Sequence, residues 1–219
     1  MLRLKPDKSF AMEQEKKLTE QESLLIIQQM IQTAKQEQKD DGKGWILWGW
    51  LLFTASLLTF INLKTQWFSN YFFWNLFGIA SLLLLLYSMV KGLFFKKADK
   101  VKTYTAELFQ KLNIGFFISL MLIIVAINRG VSPVLGFSLL LGLYGFWILV
   151  YGAALNFKPS IIGAYITWAC AFAGLFVETF DWIMVLHATA VLLGYIIPGH
   201  LANIEFNKMQ RQENKNRSV

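Results

Sequence analysis

Six stretches between Lys43 and Glu205 are almost free of charge, spanning residues 45–63, 72–90, 113–128, 133–154, 160–177 and 182–201. A helix crossing roughly 30 Å of hydrocarbon needs about 20 residues, which is the scale of these runs. None shows the period-two alternation of a barrel strand. Every backbone amide in lipid must be satisfied within the chain, so uninterrupted apolar runs of this length predict helices. The expected fold is all-α: a polytopic membrane protein with a six-helix transmembrane bundle over 43–204, an N-terminal segment at 1–42 and a tail at 205–219. Aromatic residues gather at the span edges, as they do at bilayer interfaces. Trp45, Trp48 and Trp50 open the first span, Trp67, Tyr71 and Trp74 surround the first turn, Trp147 and Tyr151 lie near the end of the fourth span, and Trp182 opens the sixth.

Ahead of the first span the pattern changes. Thr19-Glu20-Gln21-Glu22 fits a capping box, in which the threonine oxygen accepts from an early helix amide and Glu22 reaches back. An amphipathic helix over 20–38 is predicted, with Leu24, Ile27, Met30, Ile31 and Ala34 on one face at helical spacing. Its charges are mixed, so it lacks the strongly basic face of a membrane-surface binder. The stripe is instead expected to dock on the bundle's cytoplasmic face, on a protein partner or on a second copy. Asp40-Asp41-Gly42 ends the helix before the first span. The extreme N-terminus has no apolar core or small-residue cleavage site, so it does not read as a signal peptide; Met12 is an alternative start. A smaller stripe, Val101, Tyr104, Leu108 and Leu112, predicts a lysine-rich helical connector after the second span.

Charge sets the orientation. Nineteen of the 21 Lys and Arg residues fall on one side if both termini share it, and only Lys64 and Arg129 fall on the other. By the positive-inside rule that side is the cytoplasm. The net charge of +7 is thus a topology signal, and the polyanion it implies is anionic lipid rather than nucleic acid. Charged residues make up 16% of the chain, well below the roughly 25% of soluble domains. One cysteine, Cys170, excludes an intrachain disulfide and a cysteine-based metal site.

Candidate chemistry is sparse. No Asp, Glu, Lys or Arg lies within the predicted spans, which argues against an ion-coupled transporter, because buried charge in a membrane is costly and kept for function. His187 is the one titratable group well inside. With Glu178, Asp181 and Arg129 nearby it suggests an outer polar cluster of pH-sensitive or cation-binding type; the bland alternative is a histidine bonded to a neighbouring helix. His200 follows Pro198, which is expected to bend or end the sixth helix. Asn75 and Thr167 read as polar contacts between helices. Small pairs four residues apart, Ser138/Gly142, Ala169/Ala173 and Ala190/Gly194, predict close packing among the last three helices. No phosphate loop, catalytic triad, zinc or haem motif is present, so no cofactor, metal or catalytic residue is expected.

Residues 18–27 (Leu-Thr-Glu-Gln-Glu-Ser-Leu-Leu-Ile-Ile) and 44–50 (Gly-Trp-Ile-Leu-Trp-Gly-Trp) resemble small bacterial multi-pass membrane proteins of uncharacterised function. The resemblance covers about the first third of the chain and implies no activity or site. Two function classes follow. One is a non-enzymatic regulatory or scaffold protein of the bacterial inner or plasma membrane, coupled to a cytoplasmic partner or to itself by the N-terminal helix. The other is a small transporter or channel with its path between two three-helix halves and His187 near the outer mouth.

Overall fold

The computed structural model describes residues 24–26, 41–94 and 104–217, and all regular structure among them is helical. The helices are α1 (Lys43–Thr65), α2 (Phe72–Phe94), α3 (Tyr104–Asn128), α4 (Pro133–Leu155), α5 (Lys158–Gly174) and α6 (Phe180–Val191). A π-helical turn (Leu192–Ile196) then leads into α7 (Ile197–Arg217). Four helical stretches are long and apolar enough to cross a membrane: Lys43–Thr65, Glu107–Asn128, Pro133–Leu155 and Phe180–Gln212. Helices of this length and apolarity are consistent with an integral membrane protein. The shorter Phe72–Leu84 is also apolar, and α5 has 17 residues.

Along α1 and α5, small and hydroxyl-bearing residues are buried while large apolar ones face outward, the reverse of a soluble bundle. The buried face of α1 is Gly49, Leu52, Ala55, Ser56, Thr59 and Asn62, while Leu47, Trp50, Leu57, Leu58 and Ile61 point outward. In α5 the buried face is Ser160, Gly163, Ala164, Thr167, Cys170, Ala171 and Gly174, with Ile162, Tyr165 and Phe172 outside. A surface this apolar is stable only where the solvent is itself apolar. Helices in lipid gain little by hiding leucine from one another, so small and hydroxyl-bearing residues form the seams.

The core is α6, packed against α1, α4 and α5. Helices α2 and α3 sit outside, α2 approaching α1 and α3 approaching α4. Only Asn156 and Phe157 join α4 to α5, so these helices pack as a tight hairpin along their length. One end of the bundle, here called proximal, carries this turn, the start of α1 and the start of α7. The distal end carries the α1–α2, α3–α4 and α5–α6 turns.

Two sequence expectations change. The connector helix and the third span are one element: α3 runs unbroken from Tyr104, with a Lys111–Glu107 pair at 2.7 Å on its surface and Phe109 buried against Trp147 and Tyr151. No Gly or Pro interrupts residues 104–113, so nothing stops the helix there. Pro198 does not end the last helix. A proline cannot donate to the carbonyl four residues back, and its ring crowds that carbonyl. The π turn immediately before it lets the Ile197 amide bond Leu192 O, widening the helix where Pro198 would otherwise clash with Gly194 O. The helix then continues to Arg217.

Candidate functional site

The seam between α1 and α6 carries four buried polar residues, Ser56, Thr59, Asn62 and His187. Thr59 Oγ1 donates to Ala55 O at 2.7 Å, and Ser56 Oγ donates to Leu52 O at 2.7 Å. Ser56 Oγ also lies 2.8 Å from His187 Nδ1. A serine has one hydroxyl hydrogen. With that hydrogen on Leu52 O, Ser56 must accept from His187, which places the imidazole proton on Nδ1 and leaves Nε2 with a bare lone pair. Nε2 is buried and has no hydrogen-bond partner among the described residues.

Aromatic rings enclose this imidazole. Trp74, Phe137 and Tyr144 stand at 5.2, 5.8 and 5.9 Å between ring centroids, at steep angles of 88°, 84° and 68°. The Trp74 indole N–H is itself fixed, 3.2 Å from Met184 Sδ one turn back on α6. His187 is 0% exposed. A neutral imidazole in these surroundings can accept one hydrogen bond or donate a lone pair. Among the described residues, no three His, Cys, Asp or Glu side chains come together as a metal group.

The expected partners of His187 lie elsewhere. Asp181 pairs with Lys64 at the distal end of α1. It is six residues before His187, about 240° round the helix, and so on another face. Glu178 and Arg129 are exposed in the α5–α6 and α3–α4 connections. The four residues therefore do not assemble as one outer cluster, and His187 takes the alternative of a bond to a neighbouring helix.

The small residues divide in the same way. Gly194 meets Thr167 Oγ1 and the Gly163 backbone, where a Cβ on Gly163 would lie 2.9 Å from Gly194 Cα. Ala190 is buried. Ser138 is buried, bonds Val134 O at 2.8 Å and lies against Gly174. Gly142 has open space where a Cβ would stand; its carbonyl instead accepts from Trp168 Nε1 at 2.9 Å. Ala169 and Ala173 lie on the exposed face of α5, because its seam follows Gly163, Thr167 and Gly174. Thr167 is buried and bonds Gly163 O, whereas Asn75 is exposed.

No family model, characterised protein or solved structure matches this chain.

Sequence reasoning missed Asn62, Ser56 and Tyr144, and it read Trp74 as an interface anchor where the structure sets it against His187. Asn62 accepts from Phe68 N at 2.8 Å and donates to Phe68 O and Ser69 O, both at 3.1 Å, fastening the α1–α2 turn. The spacing of Ser56, Thr59 and Asn62 on one face of an apolar run was the available signal.

At the proximal end, Trp45 packs between Tyr151 and Tyr195, with ring centroids at 4.6 and 4.9 Å. A cleft of about 30 Å³ lies beside it, lined by Tyr151, Leu155, Phe157, Ala202, Phe206 and Met209 together with Glu205. A smaller one of about 10 Å³ adjoins it and reaches Gly42 and Gly199. Leu24 of the predicted docking face is helical and 58% exposed. Ile27, Met30, Ile31 and Ala34, the rest of the 20–38 helix, lie outside the described residues.

Proposed function

We propose that this chain is a six-span membrane protein of non-enzymatic, regulatory or scaffold type, coupled to a protein partner through its N-terminal helix. Both termini are read as cytoplasmic and the membrane as a bacterial inner or plasma membrane. The observation that supports six spans is the burial pattern: α2 and α5, like the four stretches long and apolar enough to cross a membrane, turn large aliphatic and aromatic side chains outward. The proximal end collects the lysine-rich and arginine-rich segments, which supports its assignment to the cytoplasm.

The coupling reading rests on an exposed apolar helical turn, Leu24 to Ile26, joined to a bundle whose core has no ion-coupling charges. Deleting residues 12–38 should abolish partner capture by the purified, tagged protein while the bundle still inserts; unchanged capture would sink the reading. Orientation is checked by thiol labelling of single cysteines placed in the α1–α2 and α4–α5 turns, which should react from opposite sides of the bilayer.

The transporter or channel reading has less support. Trp74, Phe137 and Tyr144 close around His187, and α1 packs on α6 rather than keeping to a separate three-helix half.

A further inference from the structure

His187 and Met184 meet the same indole. They lie three residues apart on α6, hence on one face with Cβ atoms about 5–6 Å apart, and both are 0% exposed. Trp74 of α2 touches each of them. Its ring centroid stands 5.2 Å from that of the imidazole, and its Nε1–H donates to Met184 Sδ at 3.2 Å. A thioether sulfur that accepts one such bond still holds a second lone pair. His187 Nε2 has no hydrogen-bond partner among the described residues. Burying a polar atom unpaired is costly, and a bound ion is one of the ordinary reasons for it.

The far side of the ring is arranged as a metal-bound imidazole requires. Ser56 Oγ accepts the Nδ1 proton at 2.8 Å, which fixes the tautomer, orients the ring and leaves Nε2 as the donor; ligating histidines are held by an outer acceptor in this way. The donor pair selects the ion. Thioether sulfur is soft and imidazole suits copper, so together they favour Cu(I). A hard cation would need oxygen ligands, and the nearest carboxylate along α6, Asp181, is taken by Lys64 at the distal end. Zinc takes three or four protein ligands. Charge decides in the same direction. No acidic residue lies within the predicted spans to offset a cation, so one positive charge is far less costly there than two. Tryptophan is also the best aromatic neighbour for a cation.

We propose that His187 Nε2 and Met184 Sδ form a buried two-ligand site for a soft monovalent metal ion, Cu(I), covered by the Trp74 indole. Methionine is unbranched and flexible, so its sulfur closes on an ion at Nε2 without movement of α6. Trp74 is partly exposed while both ligands are sealed, so displacing the indole opens the site from the α2 side. The inference goes beyond the coupling reading and is independent of it, since neither terminus takes part.

The probe is Ag(I), which shares the charge and softness of Cu(I) and is not oxidised in air. The full chain is purified in detergent micelles with a histidine-free tag, on a Cys170→Ala background that removes the single thiol. It is loaded in chloride-free buffer, desalted and assayed for silver. The parent should retain about one equivalent more than the pair His187→Leu/Met184→Leu, and each single variant should lose that equivalent at least five-fold. Met184→Leu conserves volume and keeps the fold, which circular dichroism checks. Nitrogen NMR of the parent needs no variant: silver should move the His187 Nε2 resonance away from that of a bare ring nitrogen and leave Nδ1 protonated. Excess Zn(II) should displace none of the silver. Equal retention in parent and variants, or an unmoved Nε2 resonance, would overturn the proposal. Loss in His187→Leu but not in Met184→Leu would do the same, as would displacement by zinc, because either result removes the thioether from the site.

Discussion

Gly163 and Gly142 are both glycines of closely packed helices, yet alanine should act on them very differently. A Cβ on Gly163 would stand 2.9 Å from Gly194 Cα, 3.2 Å from Gly194 O and 3.3 Å from Leu193 O. All three are backbone atoms and cannot rotate away. Carbon atoms pack at about 3.5–4.0 Å, so α5 must retreat from the π turn by roughly 0.6–1 Å along its most intimate contact. Overpacking of this kind costs about 1–3 kcal/mol, or about 5- to 150-fold in the folding equilibrium. At Gly142 no atom lies within 4 Å of the new methyl, and the bond from Trp168 goes to the backbone carbonyl, which alanine keeps. Gly142→Ala should therefore stay within about 1 kcal/mol of the parent, with any gain coming from alanine's better helix propensity. Unfolding in mixed micelles by SDS titration, followed by circular dichroism, measures both. An equal loss at the two positions, or a larger one at Gly142, would refute the packing argument.

Ser56→Ala strands the His187 Nδ1 proton and should cost about 1–2 kcal/mol, within the range for buried bonds and near the upper end for membrane proteins. The pair Ser56→Ala/His187→Leu should cost less than the sum of its singles, and additive losses would show that the bond contributes nothing. Nitrogen NMR of the His187 ring should find Nδ1 protonated and Nε2 bare; the opposite tautomer would overturn the hydrogen-bond assignment. Asn62→Leu removes three bonds to residues 68 and 69 and should speed proteolysis in the α1–α2 turn several-fold, whereas an unchanged cleavage rate would mean that the turn is held by other contacts. Pro198→Ala restores a donor for Gly194 O and should convert the π turn to α-helix, rotating α7 by about 100° and carrying Phe206 off the cleft. Spin-label distances between residues 157 and 206 would report that rotation, and no shift would show that the Gly163–Gly194 contact, not the proline, sets the π turn.

Apolar run length was enough to place the helices, because in lipid an uninterrupted run has few alternatives to helix. The starts of α1, α2 and α4 fall within two residues of expectation. Which face of each helix turns inward was harder to read. Spacing of small residues pointed to Ala169 and Ala173, but an apolar helix in lipid can turn any small face outward, and the choice fell to the partners of Gly163, Thr167 and Gly174. The neighbours of His187 were illegible for a related reason: proximity in sequence suggested Glu178 and Asp181, while the bond came from Ser56, 131 residues away. Pro198 misled because its usual effect assumes α geometry before it, and a π turn removes the clash.

That separation of 131 residues also bears on how the protein is made. At synthesis rates of about 5–20 residues per second, α1 waits roughly 7–25 s for α6 to be translated. Meanwhile its hydroxyls are already spent on their own helix, Ser56 on Leu52 and Thr59 on Ala55, and Asn62 is occupied by the turn that follows within seven residues. The nascent first helix can thus rest in the bilayer with its donors satisfied, holding only an acceptor lone pair in reserve for the histidine that arrives last.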